Sequence, residues 1–166
     1  GVAGSQGSNA ARLHGRSRRE WPDAGRDRLF GSAARDFDRG CASAGGGVVK
    51  FQPGLYVTGS LFIKSNVELR IDDKVLILGS QNFDDYPEIQ TRIAGIETTW
   101  PAALINLIGV KNAALTGKGI VNARGKFCWD KYWNMRKEYD KKGLRWVVDY
   151  DAKRVRTVLV QNSEQV

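Results

Sequence analysis

The residues able to do chemistry are few. Among 166 residues there is one histidine and two cysteines. A lone His14 leaves a self-contained Ser-His-Asp, Cys-His or multi-histidine metal mechanism with almost no material. Cys41 and Cys128 are too few for a disulfide scaffold or for a zinc site of their own. The acids come in adjacent or near-adjacent sets, Asp72-Asp73, Asp84-Asp85 and Asp149/Asp151, and all read as turn and loop acids. No residue is therefore assigned a catalytic role, and no metal or cofactor is expected. What remains is recognition. Trp129, Trp133 and Trp146 lie close to Arg136, Lys137 and Arg145 along the chain. Aromatic rings can face sugar rings, and guanidinium groups pair with carboxylates. Trp129, Trp133, Arg136, Arg145 and Trp146 are the candidate substrate-binding residues, as a wall for a polymer of uronate sugars. The alternative, a helix packed on the flank of the fold with its charges solvated, stays open.

The elements that would position this wall can be read from spacing. Cys128, Tyr132, Met135 and Tyr139 recur at three- and four-residue steps and fall on one helical face, with Lys141-Lys142 in the last turn and Gly143 as the C-cap. Upstream, a second helix is predicted from Leu29 to Ala44, where Phe30, Ala33, Ala34, Phe37, Cys41 and Ala44 share a face and Gly45-Gly46-Gly47 ends it. Cys41 on that face reads as a small buried hydrophobe. Between the helices stand short β-rich runs: Val48–Phe51, Leu55–Thr58, Leu61–Lys64, Val67–Ile71 and Val75–Leu78. Two-to-four-residue bends separate them, which suits a chain turning corners repeatedly better than long hairpins.

The pattern recurs. Ser65-Asn66-Val67-Glu68-Leu69 matches Lys111-Asn112-Ala113-Ala114-Leu115, and the last residues, from Val158-Leu159-Val160 to Glu164-Gln165-Val166, begin it again. The 46 and 53 residues separating Asn66, Asn112 and Gln165 exceed one solenoid coil of ~20–25 residues but fit a coil plus one loop insertion. The insertions are Gln81–Trp100, long and turn-rich, and Ala123–Arg156, with its own helix. A single coil cannot bury its inner face, so such a repeat must continue; the chain is expected to be truncated at its C-terminus.

Charge divides the chain. Residues 1–49 hold eight arginines and no lysine, whereas residues 50–166 hold eleven lysines and seven arginines. Residues 1–40 are expected to be a basic leader, disordered on its own, and residues 41–166 the packed part. The net charge of +8 calls for an acidic partner. Acids interleave with the leader's arginines, so a nucleic-acid arm is not expected. No apolar run approaches ~18 residues, so no membrane span is expected, and no apolar signal-peptide core is seen.

The ordered motifs resemble a known family. They run Gly45-Gly46-Gly47-Val48-Val49, Pro53-Gly54-Leu55-Tyr56-Val57-Thr58-Gly59-Ser60-Leu61, Lys64-Ser65-Asn66-Val67-Glu68-Leu69, and Leu78-Gly79-Ser80 with Asp84-Asp85-Tyr86-Pro87. They continue with Ile108-Gly109-Val110-Lys111-Asn112, Thr116-Gly117-Lys118-Gly119-Ile120-Val121, Trp129-Asp130-Lys131-Tyr132-Trp133 and Lys153-Arg154-Val155-Arg156. Together they are similar to the bacterial branch of glycoside hydrolase family 28, the polygalacturonase-like proteins, over about residues 41–166. Val155 stands where that family commonly has proline, and residues 1–40 lack its aspartate-glycine motif. The resemblance implies an all-β fold, the first rungs of a right-handed parallel β-helix with an N-terminal capping helix and a helical insertion. It implies inverting hydrolysis of α-galacturonosidic bonds in pectin, an acidic polysaccharide partner, a monomer when full length, and an extracellular or periplasmic location. The family's Asn-Thr-Asp, paired aspartates, Gly-His-Gly and Arg-Ile-Lys motifs are not found in this sequence, so the chain alone is expected to be inactive. Two other readings are a pectate lyase on the same fold and a non-catalytic carbohydrate-binding or structural solenoid.

Overall fold

The structure is a computed structural model and describes the backbone of Ala11–Leu13 and residues 45–144 and 148–166. The expected helix over Leu29–Ala44, with Cys41, and His14 lie outside the described residues. Of the basic leader only Ala11–Leu13 (β1) is described, as a strand parallel to β2.

The runs expected to be strands are strands, within a residue or two at their ends. β2 is Gly47–Phe51, β3 Gly54–Thr58, β4 Leu61–Ile63, β5 Val67–Ile71 and β6 Val75–Gly79. Later come β9 (Ile105–Ile108), β10 (Ala114–Gly117), β11 (Ile120–Asn122) and β12 (Val158–Gln161). They form three parallel sheets, ordered β1-β2-β5-β10, β3-β6-β11 and β4-β9-β12. Each sheet takes one strand from every coil, so the fold is a parallel β-helix of three successive coils. Tight bends with two-fold inward-outward alternation produce it: the residues at every second position turn inward and stack on their counterparts in the next coil.

Register makes the stacks explicit. Val49 lies beside Leu69 and Leu69 beside Leu115. In the second sheet the file is Tyr56, Ile77 and Val121. In the third, Leu61, Ile105 and Val158 align, as do Ile63, Leu107 and Val160. The middle coil has neighbours on both sides, and Ile77, Ile105 and Leu107 are fully or almost fully buried. Each such side chain contributes about 1.5–3 kcal/mol by leaving water.

The corner between the third and first sheets repeats faithfully. Asn66, Asn112 and Gln165 all take positive φ, at 62°, 51° and 53°. Asparagine tolerates this left-handed conformation because its short side chain bonds locally. Here Asn112 Nδ2 donates to Asn66 Oδ1 at 3.3 Å, and the Asn66 and Asn112 amides donate to the Lys111 and Glu164 carbonyls one coil on. The parallel bridge between Lys111 and Glu164 pairs the second and third of these corners. The repeat read from these asparagines is thus the coil repeat, and Ala114 and Leu115 sit opposite Glu68 and Leu69 as the sequence match requires.

The other variable corner lies between the second and third sheets. In the first coil Gly59-Ser60 alone joins β3 to β4. In the second coil the connection holds a 3₁₀ turn, Phe83–Asp85, and an antiparallel hairpin of β7 (Glu88–Ile93) and β8 (Ile96–Pro101). In the third it holds helix α1 (Lys126–Lys141) and the short helix α2 (Val148–Asp151). The hairpin corrects the reading of Gln81–Trp100 as merely turn-rich. Ala94 and Gly95 both have positive φ, 49° and 87°, which is what a two-residue turn matching the strand twist demands. No helix of the described residues is long and apolar enough to cross a membrane.

Candidate substrate-binding surface

Both insertions leave the coil at the same corner, and they pack on one another. The buried Trp100 of β8 donates its indole N–H to the Arg154 carbonyl at 2.8 Å. Thr91 of β7 donates its hydroxyl to Gln161 Oε1 of β12 at 2.7 Å and accepts from Arg156 Nη1 and Nη2 at 3.2 and 3.3 Å. Lys153 and Glu88 form an ion pair across the seam, and Phe83 and Phe127 meet edge to face at 5.5 Å. Arg124 Nε donates to the Gly79 carbonyl at 2.7 Å. Burial pulls the Arg156 pKa below its ordinary value, because desolvation disfavours the charged form.

Several of the acids singled out in the sequence are engaged in local contacts. Asp85 accepts from Ser80 Oγ at 2.5 Å, and its carbonyl accepts the Ser60 amide. Asn82 caps the 3₁₀ turn by accepting the Asp84 amide at 3.2 Å. Asp72 pairs with Arg70 at 2.7 Å, and Asp73 accepts the Lys74 amide. Asp151, at the end of α2 and not in a loop, accepts the Tyr139 hydroxyl at 2.8 Å. That bond, then burial, pushes the Tyr139 phenol above its ordinary value. Among the described residues no group of three His, Cys, Asp or Glu could hold a metal ion.

Helix α1 has two unlike faces, as its spacing requires. Cys128 and Tyr132 are buried, and Met135 and Tyr139 pack with Val148 and Ala152. Burial pushes the Cys128 thiol up, so it is not an activated nucleophile. At the C-terminus Gly143 has φ 71°, its amide bonds the Asp140 carbonyl, and Leu144 bonds the Tyr139 carbonyl. This pair of bonds is a Schellman motif, with the glycine at the left-handed position.

The neighbouring face presents Trp129 and Trp133, which remain 49% and 52% exposed. Tyr132 lies between them, edge to face with each, at 5.4 and 5.2 Å. Arg136 stands 5.4 Å from the centre of the Trp133 ring, donates to the Tyr132 hydroxyl at 3.1 Å and pairs with Asp140 at 3.6 Å. Arg154 lies 5.2 Å from Trp129 and 4.8 Å from Tyr132. The result is a row of rings with a guanidinium at either end. Lys131 and Lys137 of the same helix are exposed. Trp129, Trp133 and Arg136 are therefore brought together; Arg145 and Trp146 lie outside the described residues. The sequence offers Arg154 only within the Lys153-Arg154-Val155-Arg156 motif and not as a binding residue. It lies in the same insertion as Trp129 but 25 residues further along, beyond α2, and only the folding back of that insertion joins them.

Fold and surface together define the class: a parallel β-helix carrying stacked insertions with an aromatic, cationic face. No protein-family model matches the chain. In sequence it is similar to the exo-poly-alpha-D-galacturonosidase of Dickeya chrysanthemi, 32% identical over 80 residues, or 43% of this chain and 13% of that protein. In structure it is similar to a hyperthermoactive exopolygalacturonase from Thermotoga maritima, with a TM-score of 0.59 and 22% identity. That match covers 80% of this chain and 36% of the other. A family 28 exopolygalacturonase from Yersinia enterocolitica gives 0.52 and 21%, over 71% of this chain and 27% of that one. The chain thus spans about an eighth of the matched sequence relative and between about a quarter and about a third of these structures. The resemblance carried by the motifs is borne out: the chain is similar to polygalacturonases of family 28, and the fold is theirs.

Proposed function

We propose that this chain is the N-terminal portion of a polygalacturonase-like glycoside hydrolase that cleaves α-galacturonosidic bonds in pectin. The observation that carries this reading is the placement of the ordered family motifs. They fall on the coil's strands, on its asparagine corner and on the two insertions, and the sequence likeness to a galacturonosidase covers 80 residues. Inverting hydrolysis needs one carboxylic acid to protonate the leaving oxygen and one carboxylate to activate water, roughly 6.5–9.5 Å apart. Asp85, Asp72 and Asp151 are engaged in local contacts, so the reading assigns the catalytic pair to coils beyond those described.

In this reading Trp129, Trp133 and Arg136, with Arg145 and Trp146 from the same segment, form part of the substrate-binding wall. Its cations suit an acidic polysaccharide: residues 48–166 carry eighteen cations against thirteen acids. The working protein is a monomer that acts outside the cytoplasm on pectin or galacturonan, without nucleic acid or membrane as partner.

The test is the coding sequence downstream of Val166 together with a reducing-sugar assay. Paired aspartates followed by Gly-His-Gly within the next coils, and hydrolysis of polygalacturonate by the polypeptide that contains them, are expected. The 166-residue chain alone should release no reducing ends, and turnover by it would refute the assignment of catalysis to other coils. Absence of those motifs over the next coils would favour a non-catalytic carbohydrate-binding solenoid instead.

A further inference from the structure

Several cations of the two insertions have an anion beside them. Lys153 pairs with Glu88, Arg136 with Asp140 and Lys126 with Asp130. Arg156, at the seam between the hairpin and β12, does not. We propose that Arg156 is a binding site for one carboxylate, supplied by a galacturonate unit of the polymer. The inference deepens the reading above and rests on it for the identity of the sugar.

Three observations support this. First, Arg156 is partly buried, yet its hydrogen bonds reach only neutral groups. Nη1 and Nη2 both donate to the Thr91 hydroxyl oxygen, at 3.2 and 3.3 Å. Thr91 in turn donates to Gln161 Oε1 at 2.7 Å, and Gln161 Nε2 donates to the Gln90 carbonyl at 3.4 Å. A neutral acceptor satisfies an N–H group but does not balance a desolvated charge. Burial pulls the Arg156 pKa down, and no neighbouring acid offsets that shift. Second, both Nη groups meet one oxygen, whereas the buried Nε has no acceptor among the described residues. Nε with the adjacent Nη forms the side fork of a guanidinium, which takes a carboxylate in two parallel bonds. A carboxylate there would answer a buried donor and balance the charge at once. Third, the cation is fixed before any ligand arrives. Thr91 is 2% exposed on β7, and the Arg156 carbonyl accepts the amide of the buried Leu104 at 2.9 Å. Such preorganisation lowers the ordering cost of binding. Gln90 and Thr157, beside this network, are exposed, so the seam opens to solvent.

The experiment follows the arginine Nε–H resonances of the isotope-labelled 166-residue chain by nuclear magnetic resonance. The probes are trigalacturonate, its full methyl ester, and acetate. Trigalacturonate should shift the Arg156 resonance saturably, and the ester should leave it in place. Arg156→Lys keeps the charge and loses the fork. In titration calorimetry it should weaken trigalacturonate binding about tenfold, the loss expected for one charge-assisted contact. Through-bond correlation to the Arg156 backbone amide assigns the signal, so the wild-type titration decides the matter even if the variant does not fold. No shift at Arg156 with trigalacturonate, or an equal shift with the ester, overturns the assignment. Acetate binding as tightly as trigalacturonate would show a site blind to the sugar, and overturns it too. None of these outcomes touches the hydrolase reading, which stands or falls on the downstream motifs and on hydrolysis.

Discussion

Asn106 illustrates how one polar residue can hold a corner inside an apolar coil. It is fully buried beside Ile105 and Leu107. Its side chain accepts the Ala103 amide at 2.8 Å and donates to the Ala103 and Leu61 carbonyls at 2.7 and 3.0 Å. Asn106→Ala would strand three buried backbone groups and is expected to cost about 2–4 kcal/mol in urea unfolding. Titration gives a second residue-scale expectation. Burial raises the pKa of Cys128, Tyr56 and Tyr86. Between the ordinary and raised values the folded chain holds protons that the unfolded chain has released, so stability falls as pH rises. Unfolding midpoints should be level up to about pH 8.5, the ordinary thiol value, and decline above it. Cys128→Ala should move the start of the decline toward about pH 10, where tyrosine takes over.

At the scale of elements, turns decide more than strands do. Gly143 ends α1 in the left-handed region, so Gly143→Ala should cost about 1 kcal/mol and shorten the helix by circular dichroism. The strands were legible because each short apolar run lies between turn residues, and α1 because Cys128, Tyr132, Met135 and Tyr139 repeat at helical spacing. The β7–β8 hairpin was not. Its alternation, Glu88-Ile89-Gln90-Thr91-Arg92-Ile93, is present, but Ala94-Gly95 is a weaker turn signal than the asparagine or aspartate pairs that usually mark such a bend. The α2 helix has four residues, too few for any periodicity to register.

For the whole molecule, the coil repeat was readable from Asn66, Asn112 and Gln165, because a left-handed corner restricts residue type. The candidate surface was readable only in part. Trp129, Trp133 and Arg136 share one helix and therefore one spacing rule, whereas Arg154 reaches them because the insertion folds back along the hairpin and bonds Trp100, which no local pattern encodes. Those contacts predict how disturbance spreads. Trp100→Ala should remove the indole bond to Arg154 and leave a cavity, and amide exchange should quicken across residues 123–157 while β3 and β5 stay protected. Uniform quickening through every coil would contradict this division.

The seam between insertions also carries a direction in time. The 3₁₀ turn and hairpin precede α1 in the chain, and Trp100, Thr91 and Glu88 are the surfaces on which the later segment settles. A polypeptide emerging from the ribosome would complete this platform before α1 is made. The helix is then a late arrival fitted to an existing template, and the pairing of Arg154 with Trp129 becomes the last step of local assembly.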